Sequence, residues 1–266
     1  MSDLILNIAG FHILIKFSEV EFTRKIRMPE YIKWRYNDFL YSSKKTNIDF
    51  TIKFIHAQEM RSLFSSNKKR FFINLYDVKS GNVLITFYHI SLFQFDVILT
   101  YILQKLLTRK EGFILHTSAV SIKGKAFCFM GRSGAGKSTV VNLLSDIYKP
   151  LSDDSGIIKK QGDNYYFYQM PLSDKNIEIK KSSNAVPLGR IYFLHKGNIL
   201  KARKITNKEK IIKKISLQLY SEKDNIEKQI VSLGELINSQ DTFFDLTFSR
   251  DKKEVISFFQ NNETKI

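Results

Sequence analysis

The feature that most constrains this chain is an abrupt change of backbone character near its middle. Ala126-Phe-Cys-Phe-Met130 is an unbroken apolar run, Gly131-Arg-Ser-Gly-Ala-Gly136 places three glycines in six residues, and Thr139 to Ile147 takes up helical periodicity. A short apolar run bounded by glycine reads as a buried strand. Glycines let successive backbone N–H groups turn inward. A helix beginning directly after them adds unsatisfied N–H groups and the positive end of its dipole. Strand, loop and helix in this order make a cradle for phosphate and place the core among α/β folds.

The residues Gly131 to Ser138 satisfy G-x-x-x-x-G-K-[ST], the Walker A or P-loop pattern. The expected nucleotide-binding set is Gly131, Ser133, Gly134, Ala135, Gly136, Lys137, Ser138 and Thr139. Lys137 is expected to bridge the β- and γ-phosphates of ATP, and Ser138 to bind Mg²⁺ through its hydroxyl. The loop by itself does not name a reaction. A further group must hold the metal or receive a proton. Asp153 and Asp154 follow the loop helix after a short connection and are the first candidates, although Ser152-Asp-Asp-Ser-Gly156 equally reads as a surface turn. His116 lies one strand upstream; it is either structural or near enough to orient Asp153.

Before residue 91 the pattern is that of strands. Ser2 to Val20 reads as strand, with apolar runs Leu4-Ile-Leu and Phe11-His-Ile-Leu-Ile around Gly10; Asp49 to His56 alternates, and Phe71 to Tyr76 and Val83 to Tyr88 flank the turn Ser80-Gly-Asn82. This predicts a mostly antiparallel β region over 1–90. From Ser91 to Lys110 the period is helical, with Ser91 as N-cap. After Ile114-Leu-His116, the runs Ala119-Val-Ser-Ile122 and Ala126 to Met130, joined by the turn Lys123-Gly-Lys125, predict a hairpin whose second arm feeds the glycine loop. Strands are expected at Tyr165–Met170, Ile191–Leu194 and Phe243–Phe248. Helices are expected over 207–219, 221–238 and 252–259. The expected organisation is therefore a β region over 1–90 followed by a mixed α/β domain over 91–266.

Leu115-His-Thr-Ser-Ala-Val-Ser-Ile-Lys-Gly-Lys-Ala-Phe127, the glycine loop and Leu151-Ser-Asp-Asp154 together resemble the catalytic domain of the HPr kinase/phosphorylase family over roughly 92–200. The resemblance implies a P-loop core akin to phosphoenolpyruvate carboxykinase, ATP and Mg²⁺ as cofactors, and transfer of phosphate to a serine hydroxyl. By position it implies Asp153 as catalytic base, His116 as its support and Asp154 on the metal side. Thr139 stands where those enzymes usually carry an acidic residue, and the glycine-rich signature that follows in them is not evident. The chain thus looks more like the divergent members, including those that phosphorylate ribosomally made peptides such as lasso peptides.

The formal net charge is +16, from 42 Lys and Arg against 26 Asp and Glu. Between Lys175 and Lys214 there are twelve basic and two acidic residues. This stretch is either a solvated surface or a dock for an acidic partner, with Arg190, Arg203 and Lys204 as candidate substrate contacts. The expected partner is a peptide or small protein bearing a Ser or Thr hydroxyl. A small hydroxylated metabolite is the alternative acceptor, and a nucleotide-switched ATPase the alternative class. No pattern for nucleic-acid binding, secretory signal or membrane-spanning run is seen, so a cytoplasmic protein is expected. The single cysteine, Cys128, excludes an intrachain disulfide. The oligomeric state stays open, a homo-oligomer included.

Overall fold

The computed structural model describes residues 3–18, 28–43, 46–55, 76–79, 81–88, 90–109, 112–172, 179–220 and 226–262. Residues 71–75, 175–178 and 221–225, which carried parts of the expected strand, basic stretch and helix, lie outside them. The fold is mixed α/β, and the chain divides into two compact units, Met1–Leu106 and Leu107–Ile266.

The first unit holds a five-stranded sheet in the order β1-β2-β3-β5-β4. β1 (Leu4–Ile8) and β2 (Phe11–Phe17) form a hairpin. Its two turn residues, Ala9 and Gly10, have φ of 52° and 76°, as a tight primed turn requires. Helix α1 (Met28–Arg35) then carries the chain to β3 (Phe50–Ile55), which runs parallel to β2. β5 (Val83–Phe87) is parallel to β3, and β4 (Tyr76–Lys79) antiparallel to β5. The region expected to be mostly antiparallel is thus evenly divided among its described pairings. A helical crossover between β2 and β3 makes them parallel, and strand periodicity says nothing of partner direction.

α2 (Leu92–Arg109) opens with a reciprocal cap: Gln94 N–H donates to Ser91 Oγ at 3.2 Å, and Ser91 N–H donates to Gln94 Oε1 at 2.8 Å. Most of this helix groups with the first unit, whereas the sequence placed a boundary before it. Asp96 explains part of the attachment. It accepts hydrogen bonds from Arg35 Nη2 at 3.2 Å and from the Tyr36 hydroxyl. Burial, followed by the Asp96 charge, pushes the Tyr36 hydroxyl far above its ordinary pKa.

The second unit is built on one sheet. Its strands are β6 (Gly112–His116), β7 (Ser118–Ile122), β8 (Lys125–Met130), β9 (Lys149–Ser152), β10 (Ser155–Gln161), β11 (Asn164–Gln169), β12 (Val186–Lys196), β13 (Lys201–Lys204) and β14 (Phe243–Phe248). The order is β6-β10-β11-β12-β8-β7-β9, with β14 beside β12 and β13 beside β14. β8, β12 and β14 are mutually parallel, and the expected hairpin β7–β8 is present. The helices are α3 (Lys137–Leu144), α4 (Lys208–Ser216), α5 (Ile226–Ser239) and α6 (Lys252–Asn262).

The composition of β8 follows from its position. Ala126, Cys128 and Met130 pack with Ile211 and Ile215 of α4 and Leu233, Leu236 and Ile237 of α5. Phe127 and Phe129 point the other way, into Val140, Val141 and Leu144 of α3 and Val255 and Phe259 of α6. A strand covered on both faces needs no polar alternation. Burial pushes the Cys128 thiol up to about 12, with a hydrogen bond to Thr117 opposing it. Among the described residues no helix is long and apolar enough to cross a membrane.

Candidate active site

Three strand ends make one edge of the site. Because β8, β12 and β14 are parallel, the segments that follow them emerge on the same side. The register pairs Met130 with Phe193, and Lys196 with Phe248. After Met130 comes the glycine loop. Gly134 and Gly136 have φ of 74° and 101°, the region that favours glycine. Gly136 is also held by contact: a Cβ there would lie 2.6 Å from Phe248 Cζ. α3 starts at Lys137 with no side-chain cap on its N-terminus. Lys137 is buried, and its Nζ donates to the carbonyl of Gly131 at 2.9 Å.

The acidic pair arrives from another direction. Ser152 ends β9 and Ser155 begins β10, so Asp153 and Asp154 form the turn between two strands. That turn is clamped by hydroxyls. Ser152 Oγ donates to the carbonyl of Ser155 at 2.6 Å and lies 3.2 Å from that of Thr117, and Ser118 Oγ donates to the Asp153 carbonyl at 2.5 Å. Thr117 N–H donates to the Asp154 carbonyl at 3.1 Å. His116, last residue of β6, is paired with Ser155 in the β6–β10 ladder. This register sets its ring beside the turn, with Nδ1 3.3 Å from Asp154 Oδ1. The ring expected to lie near Asp153 thus stands at the turn that carries both carboxylates. Asp153 itself is 2% exposed, a depth at which carboxylates are seldom found unless paired.

Ser133 to Thr139, His116, Asp153 and Asp154 all border one cavity of about 780 Å³. Residues the sequence did not single out complete it: Lys196, Gly197 and Asn198 after β12, and Phe248, Ser249 and Arg250 after β14. An available cue was that each of these strands ends in a polar, turn-prone run. Gly131 borders a second cavity instead.

The candidate substrate contacts lie apart from this cavity. Arg190, Arg203 and Lys204 do not border the 780 Å³ cavity. β12 runs toward the site, so Arg190 is six residues, about 20 Å, behind Lys196. Its guanidinium stands 5.2 Å over the Phe244 ring. β13 runs away from the site. Lys201 pairs with Thr247 near the cavity end and Lys204 with Phe244, three residues farther back. Lys204 forms an ion pair with Asp241. Other members of the basic stretch serve Asp245, which accepts from Lys210 and Lys214 at 2.8 Å and meets His195 Nε2 at 2.9 Å. Burial would raise the Asp245 carboxyl, but these three partners outweigh it and hold it well below the usual range. A depressed carboxyl stabilises the fold above its ordinary pKa, and that contribution fades as pH falls below about 4.

A sequence-family model described as SynChlorMet cassette protein ScmC matches residues 88–212 of this chain. That stretch carries His116, the glycine loop and the acidic turn, and stops before β14. Among solved structures, the HPr(Ser) kinase/phosphatase from Coxiella burnetii is similar at 12% identity and a TM-score of 0.34, over 57% of this chain and 97% of that one. No curated protein matches.

Proposed function

We propose that this chain is an ATP-dependent kinase that transfers phosphate to a Ser or Thr hydroxyl of a peptide or small protein. One observation carries the reading: a single cavity brings the loop Ser133–Thr139, Lys137, the paired carboxylates and His116 together. Each component suits the cofactor. The uncapped N-terminus of α3 and the positive-φ glycines offer backbone donors to phosphate oxygens. The Ser138 hydroxyl and the Asp154 carboxylate are the hard oxygen ligands that Mg²⁺ takes, usually one or two from protein and the rest from phosphate and water.

When bound, MgATP supplies the transferable phosphoryl group and offsets part of its charge. The protein's contribution is positioning and electrostatics. Lys137 Nζ, resting on the Gly131 carbonyl, is poised to exchange that partner for phosphate oxygens. Asp153 accepts the proton of the acceptor hydroxyl. His116, next to Asp154, orients the metal-side carboxylate and keeps its second oxygen for the cation. Lys196 and Arg250 bring additional positive charge from the ends of β12 and β14.

The test is fluorescent-nucleotide binding with Mg²⁺, together with transfer of labelled phosphate to Ser-containing peptides. The wild type should bind and transfer, and Lys137→Ala should lose about 100-fold or more of transfer. A folded wild-type chain that binds no nucleotide would sink the proposal.

A further inference from the structure

A second cavity of about 500 Å³ borders the same loop at Gly131, Arg132 and Ala135. Three cations line it from three elements: Arg132 from the loop, Lys196 from the end of β12 and Lys214 from α4. Among its described lining residues there is no carboxylate. Asp245 pairs with Lys214 and His195 of the lining, and that one acid is shared with Lys210 as well. The cavity is therefore net positive. Its remaining wall combines the apolar Ala135, Phe193, Leu194 and Leu217 with Gly131, His195 and Gln218. Lys214 Nζ lies 5.1 Å over the ring of Phe193, and Leu217 is 66% exposed at the rim.

Two features connect this cavity with the acidic turn. Lys196 and Ala135 border both cavities. Gln218, in the second cavity's lining, accepts through its carbonyl from His116 N–H at 2.7 Å. A ligand extended across the loop would reach both.

We infer that the second cavity receives an acidic side chain of the acceptor peptide, close in sequence to the residue whose hydroxyl is phosphorylated. This rests on the kinase reading and specifies its substrate class. Carboxylate against the half-buried Lys214, with Lys196 and Arg132 exposed beside it, is charge-assisted pairing. An aliphatic neighbour of the acid would lie on Leu217 and Phe193. The basic stretch thus acts through Lys196 and Lys214, not through Arg190, Arg203 and Lys204.

The experiment compares Ser peptides carrying Asp at successive flanking positions with their Asn counterparts, on the wild type, Lys214→Gln and Lys210→Gln. Lys210 shares the Asp245 partner but does not line the cavity, so it reports loss of that ion pair alone. The expected result is a KM about tenfold lower for one Asp peptide than for its Asn twin. Lys214→Gln should erase that difference, and Lys210→Gln should retain it. Equal KM values for all Asp and Asn peptides, or identical behaviour of the two variants, overturn the inference. Anisotropy of fluorescein-labelled copies of the same peptides, with a non-hydrolysable ATP analogue, separates the two levels of the argument. An acid preference in binding that Lys214→Gln removes upholds the cavity's role even where no phosphate is transferred, a result that counts against the kinase reading alone. If inorganic phosphate binds at Lys214 while the Asp peptides do not, the inference fails and the site is one for a free anion.

Discussion

The two ends of the parallel strands β8, β12 and β14 make an instructive pair. Both are rich in charge, and the charges are used differently. At the leading end, Arg190 lies over Phe244 and Lys204 pairs with Asp241, so these cations are engaged in holding neighbouring segments together. At the trailing end, Lys137, Lys196 and Arg250 border a cavity together with Asp153 and Asp154. Charge density along the sequence does not distinguish the ends; strand direction does. A lysine placed after a parallel strand belongs to the site edge, and one placed before it belongs to the scaffold.

Three measurements would break or sharpen this contrast. The largest effect is expected at Asp153. Asp153→Asn keeps the volume and the clamped backbone, so peptide phosphorylation should fall by about 10² to 10⁴ while nucleotide affinity and thermal midpoint stay near wild type. Equal turnover in the variant would remove Asp153 from the reaction. Next comes Gly136→Ala. Its Cβ would approach Phe248 Cζ to 2.6 Å at a φ of 101°, at a cost of about 1–3 kcal/mol. A drop of several degrees in Tm and weaker nucleotide binding should follow, and adding Phe248→Ala should restore part of the stability in a double-mutant cycle. The smallest effect belongs to the leading end. Lys204→Ala removes an ion pair between exposed side chains, worth about 0–1 kcal/mol, and should leave kcat and KM unchanged. A marked rise in KM there would extend the acceptor's path to the scaffold end and blur the contrast.

What could be read from the sequence was whatever is contiguous. The glycine loop is one run of residues, and its backbone demands are written in its glycines. The β7–β8 hairpin, β14 and the capped start of α2 were legible for the same reason. The contributions of Lys196–Asn198 and Phe248–Arg250 were not, because strand register alone brings them to a loop some 60 or more residues away in the chain. The same holds for His116. Its pairing with Ser155 sets the ring beside the acidic turn, a placement that depends on register and not on spacing. In the first unit the crossover helix α1 was missed, although Pro29 near its start suits a first turn. Without it, the region reads as mostly antiparallel, whereas β2 and β3 are parallel.

The contact between Phe248 and Gly136 also bears on how the chain matures. The loop leaves the ribosome early, but the ring that packs on it belongs to β14, more than a hundred residues later. β12, paired with β8 across some sixty residues, keeps an open edge until β14 has been made. Pairings this distant are slow to form, and an exposed parallel edge invites association with other chains in the meantime. A nascent or truncated chain ending before Phe243 would therefore carry every residue of the glycine motif and still lack the ring that packs against Gly136.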